Sequence, residues 1–77
     1  MKLTEAVGCR VEQLLAERRM TQAQLAKKGQ IAKSTVCNLV KADNDTVTLD
    51  TVYRVCRTLN ISFEQFFSDD VFVQIEA

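Results

Sequence analysis

The chain has 77 residues, 47% of them hydrophobic, with no His, no Pro and only two Gly. That describes one small, helix-prone domain with no room for a separate ligand-sensing unit. Three widely spaced cysteines (Cys9, Cys37 and Cys56) and the absence of His exclude a zinc site, and no cofactor is expected. The net charge is zero, but residues 1–41 hold eight Lys or Arg against three Glu, and residues 42–77 hold two Arg against seven acids. A chain polarised in this way can still turn a basic face to phosphate. The start, Met1-Lys2-Leu3-Thr4-Glu5, lacks an apolar leader, and no apolar run approaches the roughly 18 residues of a membrane helix. A cytoplasmic location with reduced thiols and no membrane partner is therefore expected.

A first helix is expected from Thr4, as its cap, to about Arg19. Leu3, Val7, Val11, Leu14 and Leu15 form its apolar stripe, with Arg18 at the margin. Gly8 inside it costs about 1 kcal/mol relative to Ala, which a close contact with another helix would explain. Thr21-Gln22-Ala23-Gln24 has the form of a capping box. The Thr21 hydroxyl accepts from the backbone three residues on, and Gln24 reaches back to the free donor at Thr21. Leu25 and Ala26 then face inward. Gly29 is expected to end this second helix, because a residue at or just past a helix end usually has φ > 0.

The next helix is predicted from Lys33 to about Lys41. At about 100° per residue, Thr35, Val36, Leu39 and Val40 fall on one side. Lys33, Ser34, Cys37, Asn38 and Lys41 fall on the other. An apolar back with a front of small polar and basic groups is the form of helix that enters a DNA major groove. Asp43-Asn44-Asp45 reads as a loop, and it lacks the Gly and the later Glu of a calcium loop. Thr48 caps a fourth helix that carries Leu49, Val52, Tyr53, Val55, Cys56 and Leu59 toward the core, and Asn60 suits a left-handed end. Ser62-Phe63-Glu64-Gln65 is a second capping box and opens a short fifth helix with Phe63, Phe66 and Phe67.

Five helices thus account for residues 4 to about 68, an all-α fold in a single domain spanning 1–77. From Asp69 the pattern changes. Val71, Val73 and Ile75 alternate with Phe72, Gln74 and Glu76, the period of a strand. The tail is expected either to form a short β-strand that pairs with another copy or to fray.

The stretch Thr21 to Val40, TQAQLAKKGQIAKSTVCNLV, resembles the helix-turn-helix of the lambda-repressor-like family of DNA-binding regulators, which includes phage Cro and repressor and the xenobiotic-response-element proteins. The likeness runs from about Val7 to Phe67. Leu25 and Ala26 match the family's Leu-Ala pair, where the two helices cross closely. Val36 and Leu39 match the two apolar anchors of the recognition helix. Leu49-Asp50-Thr51-Val52 through Leu59-Asn60-Ile61-Ser62 resembles the helix and turn that follow.

This chain departs from the family at several places. Gln30 stands where the family usually has Gly, with the Gly one place earlier. Ala32 stands where Ser or Thr caps the recognition helix, and acidic residues 43–45 stand where Gly and Lys are common. Leu15 and Val40 occupy the places of a buried Arg–Glu pair, so the tie there is expected to be apolar.

The resemblance implies a sequence-specific, double-stranded DNA-binding transcriptional regulator, a repressor acting as a homodimer, with helices 2 and 3 as the motif. It places Lys33, Ser34 and Asn38 at base edges, with Cys37 close by. Phosphates would be met by Gln22 and Thr21 at a helix N-terminus, and by Thr35 and Lys41 beside the reading face. Phe66, Phe67 and Phe72 are more aromatic surface than a lone helix and tail can bury. Together with Val71, Val73 and Ile75 they are the expected dimer interface, the tail crossing its symmetry mate as an antiparallel ribbon. A tail folded back over the fifth helix is the alternative. Oxidation of Cys37 would put bulk or charge into a DNA interface, against a plain surface role. Zero net charge and the acidic loop keep a second class open, an antitoxin or other protein-interaction module that retains the fold. No enzyme and no small-molecule ligand are expected, since His, a Gly-rich phosphate loop and paired carboxylates in a cleft are all missing.

Overall fold

Three of the helices end in the same way, and those ends set the path of the chain. The computed structural model describes residues 1–42 and 47–75. It runs through α1 (Leu3–Glu17), α2 (Gln22–Gly29), α3 (Lys33–Lys41), α4 (Leu49–Leu59), α5 (Phe63–Phe67) and a closing 3-10 helix, Asp70–Gln74. The expected Asp43-Asn44-Asp45 loop lies outside the described residues. At the ends of α1, α2 and α4 a left-handed residue is followed by an apolar one whose N–H reaches back five residues. The left-handed residues are Arg19 (φ 52°), Gln30 (φ 54°) and Asn60 (φ 58°). The returning N–H groups are Met20 to the Leu15 carbonyl, Ile31 to Ala26 and Ile61 to Cys56, each at 2.9 Å. Met20, Ile31 and Ile61 all pack against the core. The hydrogen bond closes the helix while the apolar side chain drops inward, the usual coupling in this kind of helix end.

Gly29 was expected to supply the left-handed residue, but it is the last residue of α2 and Gln30 takes that role. Position 29 leaves little space for a side chain. A Cβ there would lie 2.6 Å from Thr58 Oγ1 and 3.1 Å from Ile31 Cδ1, so the end of α2 is pressed against α4. Gln30 meanwhile bears a left-handed cost of roughly 1–2 kcal/mol. Gln30→Gly removes that cost but adds chain entropy to the unfolded state, so a net gain of about 0.5–1 kcal/mol is expected. A rise in the urea midpoint at unchanged slope is the signature to look for, and an unchanged or lower midpoint contradicts it.

α1 begins earlier than expected. Lys2 is its cap, and the Lys2 N–H donates to Glu5 Oε1 at 2.9 Å, so Thr4 lies buried inside the first turn. It also ends earlier, at Glu17, because Arg19 turns left-handed. Leu3, expected in the stripe, is exposed. α3 lies across α1 and α2, and a Cβ on Gly8 would come within 2.7 Å of the Val40 carbonyl and 2.8 Å of the Leu39 carbonyl. Gly8 thus lets α1 touch the backbone of α3. Leu15 and Val40 both join the apolar core, as their pattern implied.

Within α4 the buried residues are Val52, Val55, Cys56 and Leu59. Leu49 and Tyr53, expected to face inward, are exposed, Leu49 at 74%. Tyr53 stands one position round from the buried stripe, and its ring meets Phe63 at 5.7 Å instead.

The tail forms no strand over residues 70–74. Asp69 Oδ1 accepts the Val71 N–H at 2.9 Å and caps a 3-10 helix that packs on α1. Phe72 stacks near Phe66 (5.9 Å) and Phe67 (4.9 Å). A strand in an all-helical domain has no partner for its backbone groups, whereas a local cap and a ring contact satisfy this segment within its own chain. Phe66, placed in the dimer interface by the sequence, is fully buried, and Val73 points to solvent at 82% exposure. Arg10 of α1 locks this end. Its Nε–H donates to the Phe66 carbonyl (2.8 Å), its Nη2 to the Gln65 carbonyl (2.9 Å) and its Nη1 to Gln13 Oε1 (2.8 Å). Asp69 Oδ2 stands 3.5 Å from Nη1.

Candidate nucleic-acid interface

α2 and α3 owe their relative placement to Leu25, Ala26, Val36 and Leu39, all buried in the common core. The capping box at the start of α2 is closed. Thr21 Oγ1 accepts the Gln24 N–H at 3.1 Å, and Gln24 Oε1 accepts the Thr21 N–H at 2.9 Å. Gln22, half-buried, is the first residue of this helix. Its position leaves it beside first-turn N–H groups and the positive end of the helix dipole, which favour an anion. α3 starts from Ala32, which makes no side-chain cap, so no hydroxyl competes for its first-turn donors.

With Val36 and Leu39 turned into the core, α3 keeps Lys33, Ser34 and Lys41 exposed and Thr35, Cys37 and Asn38 half-buried. Lys33, Ser34, Cys37, Asn38 and Lys41 share one side of the helix and Thr35 lies at the edge of the other, so the candidates are not equivalent. Thr35, Asn38 and Ala42 line one wall of a cleft of about 240 Å³, and Val47, Thr48 and Thr51 line the other. Thr48 Oγ1 accepts the Thr51 N–H at 3.2 Å and lies 2.8 Å from Thr51 Oγ1. Asn38 therefore lies at the mouth of a cleft, whereas Lys33 and Ser34 are exposed and outside its lining. The sequence showed Thr48 only as a cap. Nothing in a Thr pair three residues apart tells which helix it will face.

The remaining candidates sort by burial. Cys56 is a core thiol whose pKa burial pushes up, against a smaller lowering by the Arg10 charge. Cys9 is exposed, and Cys37 is half-buried on the front of α3. Among the described residues no group of three His, Cys, Asp or Glu could hold a metal, and no helix is long and apolar enough to cross a membrane. Lys33 and Lys41 are the cations of α3, one at each end, and α3 carries no acid.

A family model described as the Cro/C1-type HTH DNA-binding domain matches residues 10–70, from the middle of α1 to the start of the closing 3-10 helix. No curated protein and no solved structure matches the chain. With α2 and α3 joined by the tight turn at Gln30, and α3 seated by Val36 and Leu39 with its polar side outward, this chain belongs to the Cro/C1-type helix-turn-helix family of DNA-binding domains.

Proposed function

We propose that the protein is a sequence-specific transcriptional repressor that binds duplex DNA as a homodimer, with α3 in the major groove. The observation that carries this reading is the two-sided build of α3, sealed at the back by Val36 and Leu39 and small, polar and basic at the front. Lys33, Ser34 and Asn38 read base edges with Cys37 beside them, and Thr21, Gln22, Thr35 and Lys41 meet phosphates. Asn is suited to a bidentate bond with adenine and Lys to guanine O6 and N7. Repression follows from occupancy, because a dimer on a promoter blocks access, and the cytoplasm is where such a protein acts.

A nine-residue α3 reads only a few base pairs, so two copies on half-sites about one helical turn apart are needed for useful specificity. The surface that favours a partner copy is an aromatic run rather than a tail ribbon. The rings of Tyr53, Phe63 and Phe67 follow one another at 5.7 and 6.2 Å, and all three are exposed. Phe72 extends the run behind Phe67, while Val71 and Ile75 are half-buried beside it.

Selection from random duplex DNA with the full chain is the test. Enrichment of a two-fold repeated site is expected, and failure to enrich any sequence rejects the reading. On the selected site, Asn38→Ala should lose about 1–3 kcal/mol and relax preference at one base pair. Gln22→Ala should weaken all duplexes alike. Binding titrations over single-base variants separate the two, and an Asn38→Ala protein with unaltered preference overturns its assignment.

A further inference from the structure

More of the positive charge lies away from α3 than on it. The end of α1 and the outer face of α2 enclose a groove of about 580 Å³ lined by Arg18, Arg19, Met20, Gln24, Lys27 and Lys28. Four of the chain's ten basic residues are on its rim, and none of its lining residues is acidic. Arg18 Nη2 donates to the Leu59 carbonyl at 3.1 Å, which holds that guanidinium in place. Arg19, Lys27 and Lys28 have no acidic partner among the described residues. Past Lys28 the surface continues into a second depression that adds Arg54 and Arg57. Its one acid, Asp50, is already paired with Arg54 at 3.0 Å.

The floor of the first groove is different in kind. Met20, half-buried and packed on the core, is the one apolar side chain in its lining, and the Arg and Lys side chains around it have apolar stems of their own. Met is a pliable apolar surface that accepts side chains of varied shape. A row of phosphates needs the cations but has no use for an apolar floor. An acidic amphipathic helix uses both, with an apolar side chain on the floor and carboxylates on the rim.

We propose that this groove docks an acidic amphipathic helix of another protein, with an apolar residue against Met20 and carboxylates on Arg19, Lys27 and Lys28. The groove shares no lining residue with those proposed to contact DNA, so the two contacts can be tested separately. Of the chain's own acids, Asp50 and Asp69 are paired with arginines of the same chain, and the sedimentation measurement below separates a second copy from another protein.

The probe is a short synthetic, fluorescein-labelled helical peptide with Glu along one face and a central Leu on the other. A polyglutamate peptide of equal charge and a random-sequence duplex are the comparisons, all titrated against the full chain by fluorescence anisotropy. The amphipathic peptide should bind roughly tenfold or more tightly than polyglutamate. Lys27→Glu with Lys28→Glu should weaken it by a similar factor, while circular dichroism of the variant stays unchanged. Three results overturn the proposal. One is no binding of the amphipathic peptide. Another is equal binding of both peptides with a parallel loss for the duplex in the variant, which makes the groove a general polyanion surface. The third is self-association in sedimentation equilibrium that the same variant abolishes, which assigns the groove to a second copy.

Discussion

Phe66→Ala is expected to cost about 3–5 kcal/mol of unfolding free energy, the range for removing a large buried aromatic side chain. Phe66 is fully buried and heads the chain's enclosed side chains by volume. Its ring meets Phe67 edge-on at 4.9 Å and Phe72 at 5.9 Å, so truncation also loosens the closing 3-10 helix. A domain of this length has a total stability of roughly 4–12 kcal/mol, so the variant should be largely unfolded by mild urea. Phe67→Ser provides the contrast. Phe67 is 37% exposed, so its loss should cost much less stability and should instead weaken self-association in sedimentation equilibrium. Were Phe66→Ala as stable as the parent but monomeric, Phe66 would be an interface residue after all.

Arg10→Met should be the next most damaging substitution, at about 2–3 kcal/mol. It keeps the aliphatic stem but removes charge-assisted hydrogen bonds, which contribute about 1.5–3 kcal/mol each, and leaves the Gln65 and Phe66 carbonyls without this donor. The same lock has a pH dependence. The Val71 N–H is the largest cause holding the Asp69 carboxyl below its ordinary range; desolvation, next in size, opposes it, and the Gln13 side chain and the Arg10 charge add smaller lowerings. A carboxyl with a lowered folded-state pKa stabilises fully above its unfolded value and loses that contribution as pH falls through the folded one. The closing helix should therefore loosen on acidification below the ordinary carboxylate range. The ring signals of Phe72, followed by NMR against pH, report it. In Asp69→Asn that titration should vanish. In Arg10→Met it should shift toward the ordinary carboxylate range yet persist, because the Val71 bond is the larger cause. A Phe72 titration unaltered in Asp69→Asn would show that another group controls the tail.

What could be read from the chain by itself was whatever four or five neighbouring residues decide among themselves. The Thr21, Thr48 and Ser62 caps close on partners three residues away, so the starts of α2, α4 and α5 were legible as written. The apolar repeat of Val36 and Leu39 likewise identified which side of α3 is seated, and with it the polar front and the helix-turn-helix itself. Tertiary structure decided the rest. At the end of α2 Gln30 rather than Gly29 is left-handed, and a side chain at 29 would meet Thr58, 29 residues further on in the chain, while Ile31 packs on the core. Phe66 and Phe67 are indistinguishable as neighbours in a sequence, and only the packing around α5 buries one and exposes the other. The alternating tail satisfies a strand pattern, but Arg10 and the Phe66 and Phe67 rings offer it a helical docking place, and no strand among the described residues offers it a pairing edge. The basic groove also joins residues of two helices, Arg18 and Arg19 with Lys27 and Lys28. Local hydrogen bonds are specified by adjacent residues, whereas burial and charge clustering depend on which surfaces meet, and that is settled only when the whole chain packs.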